Sequence, residues 1–291
     1  MDAKIDYPLF HHGKVRDVYD LGEHFLIVAS DRISAFDHIL PTAIPNKGKI
    51  LNLLSSFWFD FVKDIMPNHI VSVDFADFPK DLQKYEYLRD RSMIVEKAKR
   101  VDIECIVRGY LAGSGWKEYQ KSKTVCSIKL PDNLKESSKL PQPIFTPSSK
   151  EDGGKHDENI SYQELVKRIG AVLAKKLSDC SIALYTKVSE YALTKGIILA
   201  DTKFEFGFYN DELILIDEIF TPDSSRFWEL SKYQEGKAQD SLDKQFVRDY
   251  LEKTTWDKSG EPPKLPQEII DKTLQKYISA YETLTGRKFN V

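Results

Sequence analysis

The segment IILADTKFEFGFYNDELILIDEIFTPDSSR, residues 197–226, constrains this chain most, because charged residues interrupt its apolar runs at alternate positions. In an extended strand, Asp201, Lys203 and Glu205 project to one face while Thr202, Phe204 and Phe206 project to the other. One face therefore carries chemistry and the other belongs to a core. A second apolar run, Leu213 to Phe220, follows Tyr209, Asn210 and Asp211, so the two runs read as an antiparallel hairpin. A three-residue loop sets Glu205 opposite Asp217; a two-residue loop sets it opposite Ile216, with Asp217 one step along. In either register two carboxylates sit close across the ladder. Like charges directly opposed cost roughly 0.2–1 kcal/mol, and burial adds to that, so the pair calls for a cation. Lys203 supplies one positive charge. A divalent ion supplies more, and carboxylates with no nearby Cys or His favour Mg2+, which binds through one or two carboxylates and substrate phosphates. The competing reading is a surface hairpin with a salt-bridged edge.

At 291 residues the chain is long enough for one integrated, enzyme-sized unit of two lobes. A net charge of -3 gives no overall attraction to nucleic acid or acidic membranes, so any anion site is built locally. The N-terminal stretch MDAKIDYPLFHH lacks the layout of a signal peptide, and no run approaches the roughly 20 apolar residues of a membrane span. Cys105, Cys126 and Cys180 have no metal-type spacing and read as reduced thiols, which fits a cytoplasmic protein.

The first third is β-rich, in VRDVYDL, HFLIVAS, RSMIVEKAKR and VDIECIVRGYL, interrupted by a helix from Lys49 to Asp64. Prolines and glycines between Lys121 and Ile160 predict a break in regular structure, either a functional loop or a linker. Helical spacing returns over 161–195, opened by Ser161 and Glu164 as a capping box, with Leu165, Ile169, Val172 and Leu173 on one face. Ser241 is read as the cap of a further helix, and 267–284 as the last.

Four more segments invite a chemical reading. HHGKVRDVYDL sets Gly13, Lys14 and Arg16 at the head of two strands, where a permissive backbone and two cations suit a polyphosphate. In VRGYLAGSG, Arg108 follows a strand and is followed by Gly113, Ser114 and Gly115, and TPDSSR repeats the theme with Arg226; a fork donor with exposed amides and a hydroxyl suits a phosphate monoester. IFTPSSKEDGGKHDENIS offers Lys150, Asp157 and Glu158 in a lid-like composition, though a solvated loop fits as well. SDRISAFDHILPTAIPNKG places Asp31, Arg32, Ser34 and Asp37 directly after an apolar strand. The six histidines form no ligand spacing and are read as non-catalytic.

Taken in order, GKVRDVYDL, SDRISAFDHILPTAIPNKG, VRGYLAGSGWKEYQ, IFTPSSKEDGGKHDENIS, ADTKFEFG, DEIFTPDSSRFW and SLDKQFVRDYL closely resemble the SAICAR synthetase family of purine biosynthesis, through nearly the whole chain. The resemblance is to the single-function, fungal-type form without the carboxylase domain fused in animal versions. Asp102 stands where many relatives have proline, which is expected to alter only the approach to the following strand. The resemblance implies an α+β fold, with a kinase-like N-terminal lobe at 1–110 and a larger, ATP-grasp-like lobe at 111–291 that ends in helices. It implies an ATP-dependent ligase that joins the carboxylate of carboxyaminoimidazole ribonucleotide (CAIR) to the amine of L-aspartate, with Mg2+, and with a monomer favoured.

By motif position, Glu205 and Asp217 would hold Mg2+, and Lys14, Arg16 and Lys203 would neutralise phosphate charge. Asp201 would orient Lys203 and assist the amine. Adenine would lie against Glu96, Lys97 and Ala98. Arg108, Ser114 and Arg226 would take the 5′-phosphate of the ribonucleotide, and Lys150 would reach the reacting region. Asp31, Ser34 and Asp37 fall at the CAIR and aspartate end, and Trp116 and Trp228 are read as packing residues. Two rivals remain on the residues alone. A small-molecule kinase would need a catalytic-loop aspartate that the sequence lacks, and a non-catalytic nucleotide-binding protein would have no use for Arg108 and Arg226.

Overall fold

Two antiparallel sheets meet through a short linker that begins at Glu96. The computed structural model describes residues 5–150 and 158–290. The first sheet has strands in the order Leu9–His12, Arg16–Asp20, His24–Ala29, Ser92–Glu96 and Ile70–Ser72. The second sheet is organised by one long strand, Ile197–Tyr209, which pairs with Ile103–Tyr110, Glu212–Ile216, Ser225–Glu229 and Lys99–Arg100. Ile103–Tyr110, the last stretch assigned to the N-terminal lobe, thus hydrogen-bonds into the second sheet. His69 ties the sheets together as well. Its carbonyl accepts from Glu96 of the first, and its amide donates to Leu215 of the second.

The central hairpin takes the two-residue loop. Tyr209 pairs with Glu212 and Glu205 with Ile216, and Asn210 and Asp211 both have positive φ, as a primed turn requires. Alternation holds along the strand: Phe204 and Phe206 are fully buried in the main core, with Trp58, Phe59, Phe220 and Phe227, while the charged residues take the other face.

Among the described residues six α-helices cover the sheets: α1 (Lys47–Phe61), α2 (Gly113–Ser122), α3 (Tyr162–Ile169), α4 (Ala171–Thr194), α5 (Gln245–Glu252) and α6 (Gln267–Thr285). Ser161 caps α3 by accepting from the Glu164 amide, as its spacing predicts. The helical stretch 161–195, however, is two helices. Gly170, at φ 82°, breaks it, and the turn leaves Val172 exposed instead of on the apolar face. Ser241 does not cap α5, because its hydroxyl donates to Asp243, whose other oxygen accepts the Gln245 amide where the helix begins.

The proline-rich stretch after Lys121 is more regular than its composition suggests. Lys139–Phe145 is a strand at the edge of the second sheet, and Ser148–Ser149 also pairs with Ile103–Tyr110. Pro141 and Pro143 are tolerated because an edge strand has one side free of ladder bonds, and because the register shifts between Lys139 and Ile144. His156 and Asp157 lie outside the described residues.

Behind the sheet, the Tyr185 hydroxyl of α4 donates to the Leu199 carbonyl at 2.6 Å, beside an irregularity between Leu199 and Asp201. It occupies the space a side chain at 109 would need: a Cβ on Gly109 would stand 2.0 Å from the hydroxyl oxygen. Gly109→Ala should therefore destabilise the protein by about 1–3 kcal/mol through overpacking. In denaturant titrations, Gly109→Ala with Tyr185→Phe should cost less than the sum of the single changes; strict additivity would contradict the clash.

Candidate active site

The charged face of the central strand carries two clusters. Alternate residues of a strand lie roughly 6.5–7 Å apart, so Asp201 and Glu205 are separated by about 13 Å along it.

The first cluster gathers around Asp201. Arg108, 2% exposed, donates to Asp201 at 3.1 Å, to the Ser114 hydroxyl at 3.1 Å and to the Thr146 hydroxyl at 3.1 Å. Arg226 donates to the same Asp201 oxygen at 2.5 Å. Burial and the neighbouring Arg226 press the Arg108 pKa down while Asp201 opposes them; Asp201 holds that of Arg226 up. Gly113, at φ 55°, opens α2, and a Cβ there would lie 2.2 Å from the Arg226 guanidinium. Only glycine lets that guanidinium lie against the helix start, where backbone amides and the helix dipole already favour an anion. A cavity of about 370 Å³ opens there, lined by Gly113, Ser114, Arg226 and Arg248 among others. Trp228 is buried against Tyr110 and Tyr233, and Trp116 packs on Tyr119.

The second cluster gathers around Lys203, whose ammonium lies 2.7 Å from Glu205, 3.2 Å from Glu104 and 3.8 Å from Asp217. Lys150 also donates to Glu205. Arg16 reaches across from the first sheet to Asp217 at 2.8 Å and Glu218 at 3.5 Å. Burial disfavours the Lys203 and Arg16 charges, but the surrounding carboxylates outweigh it and hold both pKa values above the ordinary range. Burial likewise opposes ionisation of Glu205, which Lys203 and Lys150 more than offset, so its carboxyl stays far below the usual range. Asp217 itself has φ 69°, a left-handed turn that ends its strand and re-aims the carboxylate. Strain of this kind, of order 1–3 kcal/mol, concentrates at functional sites.

Lys203 therefore takes its orientation from Glu205, Glu104 and Asp217, whereas Asp201, the residue expected to orient it, is engaged by the two arginines. Gly13 and Lys14 form the turn between the first two strands, and Lys14 pairs with Asp37. Glu96, Lys97 and Ala98 form the linker between sheets, where Lys97 pairs with Asp20 at 2.6 Å. Asp31 accepts from Arg91 at 3.0 Å and from the Gly48 amide at the start of α1. Ser34 lies in a two-residue strand, Ser34–Ala35.

Sequence reasoning missed Glu104 and Thr146. Glu104 had a signal, since it shares a strand face with Arg108 by the two-residue period. Also missed was a buried lock beneath the site. Asp223 receives Lys47 at 2.8 Å, Lys244 at 2.9 Å and the Tyr277 hydroxyl at 2.8 Å, fastening the 221–226 loop to α1 and α6.

The family model for SAICAR synthetase matches residues 9–263. The chain belongs to the SAICAR synthetase family. A phosphoribosylaminoimidazole-succinocarboxamide synthase from Geobacter sulfurreducens is 56% identical over 288 residues, covering 98% of this chain and 97% of that relative. SAICAR synthase from Saccharomyces cerevisiae, solved in complex with SAICAR, is 46% identical with a TM-score of 0.91, covering 100% of this chain and 99% of that one. A SAICAR synthetase solved with ADP is 26% identical with a TM-score of 0.71, covering 97% and 99%. As a member of the SAICAR synthetase family, the protein is an ATP-using, amide-forming ligase of purine biosynthesis that condenses CAIR with L-aspartate to give SAICAR. Among the described residues no helix is long and apolar enough to cross a membrane.

The Asp223 lock has a pH signature. Burial opposes its charge, but Lys244 and Lys47 outweigh burial and pull its pKa well below 3.8. A depressed folded-state pKa contributes stability that is full above pH 3.8 and lost as pH falls through the folded value. Asp223→Asn should cost about 3–5 kcal/mol near pH 7, because it leaves two lysines buried without their counter-charge. In urea titrations its deficit should narrow below pH 3.8; a deficit independent of pH would contradict the ion cluster.

Proposed function

We propose that the two clusters divide the reaction between them: the arginines around Asp201 anchor the 5′-phosphate of CAIR, and the cluster around Lys203 carries phosphoryl transfer and amide formation. The observation that carries this reading is the alternation of Asp201, Lys203 and Glu205 on one strand face, which spaces an anion anchor from a charged reaction centre. Arg108, Arg226, Ser114 and the α2 amides offer a phosphate monoester both fork donors and a helix start.

A carboxylate is a poor electrophile. ATP therefore passes its γ-phosphoryl to a carboxylate oxygen of CAIR, breaking the bond to ADP and forming an acyl phosphate. The aspartate amine then attacks the acyl carbon, the C–O bond to phosphate breaks, and the nitrogen loses a proton. Such transfer depends on positioning and charge neutralisation. Lys14, Arg16 and Lys203 neutralise phosphate oxygens, and Lys150 neutralises charge near the acceptor. Glu96, Lys97 and Ala98 line the adenine end, and Ser34 and Asp37 stand at the aspartate end, with Asp31 holding their loop to α1.

Glu205 and Asp217 suit Mg2+, because their oxygens are hard donors and one cation, the Lys203 ammonium, already lies 2.7 Å and 3.8 Å from them. Among the described residues no larger cluster of metal-type ligands converges. The ion would rest on these two carboxylates and on nucleotide oxygens, where it would neutralise charge on the transferring group. Free thiols at Cys105, Cys126 and Cys180 support a cytoplasmic setting.

Omitting each component in turn from an ADP-release assay tests the reading: release should require CAIR, L-aspartate and Mg2+, and should stop on chelation. Release without CAIR would overturn it. Asp217→Asn should lower kcat at least about 100-fold in a folded protein, and near wild-type turnover would remove the metal assignment. Arg108→Ala should raise KM for CAIR about tenfold or more while KM for ATP stays close to wild type.

A further inference from the structure

Three successive carbonyls of the turn after the first strand are tied down from one side. Arg32 donates to the Gly13 carbonyl at 3.1 Å and to the Lys14 carbonyl at 3.2 Å. Ser30 holds the Val15 carbonyl twice, with its amide at 2.9 Å and its hydroxyl at 2.8 Å. The same Arg32 guanidinium is gripped by both oxygens of buried Asp17, at 2.7 Å and 3.2 Å. His12 closes on that carboxylate at 2.7 Å. Arg32 is thus held within the protein, its guanidinium donating to two backbone carbonyls and to the Asp17 carboxylate.

Among the described residues no peptide bond is cis, and in a trans peptide the N–H points opposite to its C=O. Holding the Gly13 and Lys14 carbonyls toward Arg32 therefore turns the Lys14 and Val15 amides to the opposite side. Among the described residues neither amide has an acceptor. Successive amides facing one way form a concave anion site.

We infer that Arg32 is a positioning residue for nucleotide binding: it clamps the Gly13 and Lys14 carbonyls so that the next two amides face the phosphates of ATP, and it does so without touching the nucleotide. The inference rests on the reading that the 13–16 turn receives those phosphates. The clamp also comes from the loop that continues to Ser34 and Asp37, so the backbone of the phosphate turn is held by the segment leading to the aspartate end.

The test is steady-state kinetics together with calorimetric titration of ADP on the intact protein, comparing Arg32→Lys, Ser30→Ala and Lys14→Ala. Lysine keeps the charge of Arg32 but loses the fork. Arg32→Lys should raise KM for ATP and weaken ADP binding about tenfold, leaving KM for CAIR within about twofold. Ser30→Ala, which removes one of two donors to a single carbonyl, should shift ATP in the same direction by less; it carries the test if Arg32→Lys does not fold. If Lys14→Ala weakens ATP while both clamp variants bind it normally, the clamp is overturned and the nucleotide turn stands. If Lys14→Ala also leaves ATP untouched, the nucleotide reading falls and the inference with it. Equal losses for ATP and CAIR together with a lowered Tm would make Arg32 a structural residue only, which overturns the inference.

Discussion

A strand cannot carry three ionisable side chains on one buried face unless each finds counter-charge, and most of this structure answers that constraint. Asp201 and Glu205 are almost fully buried on the central strand, with Lys203 between them. Leaving any of them unpaired would cost several kcal/mol, so the neighbouring elements must supply partners. Ile103–Tyr110 brings Glu104 and Arg108, Ser225–Glu229 brings Arg226, and the start of the second strand brings Arg16. The sheet order is thus also the order in which charges are delivered to the site.

The same pairing gives the two clusters different character. Around Lys203 the carboxylates of Glu104, Glu205, Asp217 and Glu218 are interleaved with the cations of Lys203, Lys150 and Arg16. Around Asp201 two arginines share one carboxylate, so positive charge remains in excess. On the proposed reading, the second arrangement would take an anionic substrate group and the first a metal–phosphate complex, and the strand spacing would keep them apart.

Beneath both clusters, polar groups fix backbone instead of substrate. Asp223 ties its loop to α1 and α6, Tyr185 takes the Leu199 carbonyl where the ladder is irregular, and Arg32 gathers carbonyls of the first turn. Each is buried or nearly so, where a hydrogen bond left unmade is costly, and each therefore restricts backbone that would otherwise sample several conformations.

The sequence by itself determined the alternation on 197–209, the hairpin, the edge between core and charge, and the motifs that mark the family, because a two-residue period and turn-forming residues are local properties. It left the hairpin register open, since both loop lengths suited Tyr209, Asn210 and Asp211, and only the folded pairing of Glu205 with Ile216 settles it. It placed one helix across Gly170, whose positive φ is a backbone choice invisible to hydrophobic periodicity. The motif reading assigned Asp201 to Lys203, its neighbour on the same strand face; the tertiary structure gave Asp201 to Arg108 and Arg226 instead, 93 and 25 residues away. Charge partners are chosen by distance in space, and that distance exists only once the strands have paired.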